Sequence, residues 1–76
     1  MIRLLTDLLA ILDLQVREAE HQVTRQLAII ELLERAGLDA IEAKELVLTF
    51  RETLESQMKH RNRVRADIAR LTKPGD

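Results

Sequence analysis

Two histidines and one basic segment are the residues of this 76-residue chain with the most chemical capacity. Glu18 precedes His21 by three positions, the spacing that lets a carboxylate and an imidazole on one helical turn share a metal in carboxylate-bridged bundles. That chemistry needs such a pair on two helices with every ligand turned inward, and no second Glu-x-x-His occurs. With no cysteine, neither a thiolate metal site nor a disulfide can form. Lys59, Arg61, Arg63 and Arg65 are candidate anion contacts, able to meet phosphates or an acidic partner anywhere along the basic segment 59–70. The segment holds no aromatic residue for stacking on bases, and it lies toward a helix C-terminus, where the macrodipole already favours positive charge. There is no nucleophile at workable spacing from a base, no glycine-rich phosphate loop and no inward pair of carboxylates. The residues therefore predict no catalysis, no cofactor and no metal.

The elements that must position these groups are helices. Apolar residues make up 46% of the chain, with one aromatic residue (Phe50), two glycines and one proline, so any interior is built from Leu, Ile, Val and Ala. Net charge is −1, but residues 1 to 58 carry −5 and residues 59 to 76 carry +4, which makes the chain a dipole. The opening run MIRLLTDLLAILDL contains Asp7 and Asp13 and is followed by no small-x-small cleavage site, so it does not read as a signal sequence. No uninterrupted apolar stretch approaches the roughly 20 residues of a membrane span, and the expected location is the cytoplasm.

Apolar spacing fits a heptad. With Ile2 at position a, Ile2, Leu9, Val16, Val23 and Ile30 take a, while Leu5, Leu12, Ala19, Gln26 and Leu33 take d. A second run gives Ala40, Val47, Leu54, Arg61 and Ile68 at a, with Ala43, Phe50, Gln57, Val64 and Leu71 at d. Between the runs, Gly37 supplies the left-handed residue that ends a helix, Leu38 can fold back on the last turn, and Asp39 with Glu42 forms the pattern of a capping box. These signals predict a helix over 2–36, a turn over 37–39, a helix over 40–72 and a tail over 73–76 ended by Pro74, all within one domain spanning 1–76.

The two heptads test each other. In an antiparallel hairpin, facing core residues have numbers with a constant sum, and 73 brings every core position onto another, from Leu33 with Ala40 through Val23 with Phe50 to Ile2 with Leu71. Phe50 is expected to be the largest buried side chain. At the flanks Glu20 falls near Arg51, and Asp13/Arg17, Glu31/Arg35 and Glu55/Lys59 are i,i+4 pairs worth a few tenths of a kcal/mol each. Gln26, Gln57 and Arg61 interrupt the seam and suit a register-fixing role.

A lone hairpin leaves much apolar surface wet. Leu4, Leu8, Ile11, Leu14, Leu27, Ile29, Leu46 and Leu48 lie off the seam, as do Leu32, Ile41 and Met58. Burying one such side chain is worth roughly 1.5 to 3 kcal/mol, more than a surface ion pair supplies. The chain is thus expected to be an all-α, antiparallel two-helix hairpin that dimerises into a four-helix bundle, a non-catalytic interaction module whose partner is itself or another amphipathic helix.

The ordered landmarks His21-x-x-x-Arg25-Gln26, Leu33-Glu34, Gly37-x-Asp39, Ala43, Phe50-x-x-Thr53-Leu54 and His60-Arg61-x-Arg63-Val64 resemble a group of short uncharacterised helical-hairpin proteins frequent in alphaproteobacteria. The resemblance covers roughly residues 19 to 64, implies the hairpin fold and carries no activity with it. The run from His21 to Ile30 is also similar to the phosphoacceptor helix of one histidine-kinase group, with Gln22, Thr24 and Arg25 at variance with that pattern. That similarity implies phosphotransfer through an outward His21, whereas a solvated histidine at heptad position f explains the same residue without further assumption.

Overall fold

Leucine-rich heptads without internal glycine or proline give the backbone no reason to leave the helix, and two long helices result. The computed structural model describes residues 2–73. Helix α1 runs Ile2–Arg35 and helix α2 runs Ile41–Thr72. They pack against each other as an antiparallel hairpin about 63 Å long and 15 by 14 Å across. Among the described residues there is no strand.

The turn is set by backbone chemistry. Gly37 has φ 71, and its N–H donates to the Glu34 carbonyl at 3.1 Å while the Leu38 N–H donates to the Leu33 carbonyl at 2.9 Å. This pair of bonds is the Schellman arrangement, which satisfies two carbonyls that the end of α1 would otherwise orphan. Leu38 itself stays exposed, so its side chain adds little to the stop. At the start of α2 the Ile41 N–H donates to Asp39 Oδ1 at 2.9 Å. The second half of the expected capping box is missing: no hydrogen bond joins Glu42 to Asp39 among the described residues, because the helix starts at Ile41 and Ala40, rather than Asp39, takes the N-cap position. At the turn α1 therefore stops, and α2 starts, one residue inside the expected limits, while the outer ends fall at Ile2 and Thr72 as expected. At the far end Lys73 is extended, with ψ 132, as the residue before a proline should be. Pro74 and the rest of the expected tail beyond Lys73 lie outside the described residues.

Core positions follow the heptads. Leu12, Val16, Ala19, Ile30, Ala40, Val47 and Val64 are buried, and near the turn Val23, Leu33 and Ala43 pack around Ile30, Ala40 and Val47. Two positions depart from the expectation. Phe50 is only half-buried, and the most enclosed side chains are Leu12 and Val16, each 2% exposed. Two cylinders in contact enclose little beyond their line of closest approach, so a ring at d keeps one edge on the open groove beside Gln22, Arg25, Gln26 and Ile29. Leu71 is exposed, since the seam runs out at the open end of the hairpin.

Two of the three polar residues in the seam have partners in the other helix, and Gln57 is half-buried with none among the described residues. Gln26, 6% exposed, donates from Nε2 to the Ala43 carbonyl at 3.0 Å, a bond from one helix to the backbone of the other. The Arg61 side chain, 17% exposed, lies with Nε 3.9 Å from Asp13, and Arg65 reaches the same carboxylate at 3.3 Å. Lys44 pairs with Glu34 at 3.1 Å across the turn end. Glu31 with Arg35 and Glu55 with Lys59 form along their helices as expected. Asp13 does not pair with Arg17 among the described residues: its heptad position e faces α2, and Arg17 at b faces outward. Nor does Glu20 meet Arg51, because the flank pairs that form, Glu34 with Lys44 and Asp13 with Arg65, both add to 78, a register that sets Glu20 beside Met58.

Candidate interaction surface

Helix α1 is apolar on two faces, of which the hairpin uses one. Positions a and d form the seam. Immediately beside it, positions g and c make a second stripe: Leu4, Leu8, Ile11, Gln15, Glu18, Gln22, Arg25, Ile29 and Leu32. Its ends are apolar and its middle is polar. Leu4 is 72%, Ile11 54% and Leu32 64% exposed, and Ile29 is exposed beside the free edge of Phe50. Leu8 is the exception, half-buried because position g borders α2. On this side the groove between the helices is shallow, and its polar stretch is lined by Gln15, Glu18 and Gln22 of α1 with Thr53 and Gln57 of α2.

The other apolar residues expected at an interface are exposed but scattered. Leu14 at f borders the stripe, Leu27 at e lies on the opposite flank, Leu46 at g of α2 is on the stripe's side, and Leu48 at b points away from α1. The structure therefore concentrates the candidate surface on Leu4, Leu8, Ile11 and Ile29 and adds Leu32 to it. Glu18 and Arg25 also belong to it. They escape a search for apolar residues, although their shared heptad position c and opposite charge are readable in the sequence.

The basic segment is not gathered into one patch. Lys59 pairs with Glu55, Arg61 and Arg65 turn to Asp13, and Arg63 is exposed. Heptad positions f, a, c and e distribute these four residues around α2. His21 is exposed on α1 in a shallow depression shared with Glu18, Gln22 and Arg25, all from the same helix. A phosphoacceptor or metal site built there would have no contribution from α2. No group of three or more His, Asp or Glu is disposed to hold a metal ion among the described residues, and no helix there is long and apolar enough to cross a membrane.

Comparison with protein-family models, with curated proteins and with solved structures finds no match to the chain.

Proposed function

We propose that the protein is a non-catalytic helical interaction module that associates with a second copy of itself through the g/c stripe of α1, completing a four-helix bundle. The observation that carries this reading is the stripe: exposed Leu4, Ile11, Ile29 and Leu32 on one side of a helix whose other apolar face is already used. The surface area supports it. The hairpin exposes 6054 Å², against about 4,800 Å² for a compact monomer of its mass, so a folded chain of this shape carries surface that only association can remove from water. Covering even four such side chains at roughly 1.5 kcal/mol or more each opposes the entropic cost of association, which runs to about 4 kcal/mol or more.

Leu4→Glu with Ile11→Glu tests the reading without touching the seam, since both residues are more than half exposed. Sedimentation of the double variant is expected to give the monomer mass at concentrations where the unchanged chain gives twice that mass, with helicity retained by circular dichroism. An unaltered dimer in the variant would move the interface elsewhere, and a monomeric parent chain would leave the stripe to a different amphipathic helix.

A further inference from the structure

The order of residues along the stripe specifies how two copies meet. We propose that α1 of one copy lies antiparallel on α1 of the other, about a two-fold axis at the level of residue 20, between Glu18 and Gln22 of the stripe, an arrangement that rests on the self-association reading and deepens it. In an antiparallel seam, position g of one helix faces position c of the other with numbers that add to a constant, as a and d do within this hairpin. The constant 40 sets Leu8 against Leu32 and Ile11 against Ile29 of the second copy, with Gln15 on Arg25 and Glu18 on Gln22 between them. Two-fold symmetry forms each contact twice.

Charge selects this register over its neighbours. Glu18 of one copy lies one turn from Arg25 of the other, and among the described residues neither takes part in an ion pair within its own chain. A slip of one heptad in one direction lays Glu18 on Ile29, and in the other lays Arg25 on Leu8. A parallel pairing in register would stack Glu18 on Glu18 and Arg25 on Arg25, both unfavourable. Only the antiparallel register at 40 brings the apolar ends together and the opposite charges within reach. The same register carries Ile11 of the second copy to Ile29, beside the edge of Phe50 that the hairpin leaves open.

The area is that of a weak, concentration-dependent contact. A face as long as α1, 34 residues or about 51 Å, and about 10 Å wide, the diameter of one helix, projects to about 500 Å² per copy, or roughly 1,000 Å² for the pair, just under the roughly 1,200 Å² at which standard interfaces begin.

The absence of cysteine makes the geometry directly testable. Chains carrying Ile11→Cys and chains carrying Ile29→Cys are mixed, exchanged and oxidised. Both positions are exposed, and within one chain they stand about 27 Å apart along α1, too far for a disulfide. The mixture is expected to give a covalent dimer and each variant alone to give almost none. Efficient linking of Ile11→Cys to itself would overturn the antiparallel arrangement, and a mixture that fails to link although the unchanged chain sediments as a dimer would overturn the register while sparing self-association. Charge supplies a second readout: Glu18→Arg or Arg25→Glu alone should raise the dimer dissociation constant roughly tenfold at low salt, and the two together should return it to within about threefold. A double variant as weak as the singles would contradict the contact.

Discussion

Leu12 and Ile11 are neighbours in sequence and sit on the two apolar faces of α1, one 2% exposed in the seam and the other open to solvent on the stripe. Two of the seam's three polar interruptions have a partner in the other helix, Gln26 on the Ala43 carbonyl and Arg61 beside Asp13, while Gln57 lines the shallow groove. Along the stripe the polar residues Glu18 and Arg25 lack such partners among the described residues. The contrast teaches that apolar content alone does not identify a finished core. In the seam the most enclosed polar side chain is answered by the other helix, whereas the stripe carries opposite charges exposed to solvent.

The largest expected effect separates the two faces by one residue. Leu12→Ala should destabilise the hairpin by about 2 to 4 kcal/mol, because it opens a cavity in the tightest part of the seam. Ile11→Ala should cost the monomeric hairpin less than about 0.5 kcal/mol and weaken association instead. Thermal and urea unfolding at low concentration, with sedimentation at high concentration, measures both. Equal costs at the two positions in dilute solution would break the distinction.

A middle-sized effect sharpens the role of the polar seam residue. Gln26→Ala should cost about 1 to 2 kcal/mol through lost packing and a lost bond to Ala43, whereas Gln26→Leu should be nearly neutral in stability, since the Ala43 carbonyl remains within its helix. If Gln26 fixes register, the Leu variant should show a broader set of amide resonances despite its unchanged melting temperature.

The smallest effect lies at the turn. Gly37→Ala should lose about 1 kcal/mol, the cost of a left-handed backbone for a residue with a Cβ, because no atom lies within 4 Å of where that Cβ would stand. A loss several times larger would mean that the turn is crowded in solution.

Much of this architecture is legible from residue types alone. The heptads locate both helices and the cluster that Ile30, Leu33, Ala40 and Ala43 join near the turn, and the Gly37–Asp39 chemistry locates the turn. What escapes the sequence depends on how two cylinders meet. Heptad position d alone suggests that Phe50 is enclosed, yet a two-helix seam covers only one side of a ring. Asp13 has a basic residue four positions on and others across the hairpin, and only the packing decides for Arg61 and Arg65 over Arg17. Of the candidate surface, the sequence yields the exposed leucines and isoleucines. Which of them share one face emerges once the flank register, with pairs adding to 78, fixes which side of α1 borders α2.

The central claim is that the Ile11 side of α1 is an interface awaiting a second copy. Sedimentation equilibrium of the unaltered chain from about one to a hundred micromolar tests it most directly. The account predicts a reversible rise from the monomer mass to twice that mass as concentration increases, with helicity constant throughout. A single species at the monomer mass across the whole range would contradict it.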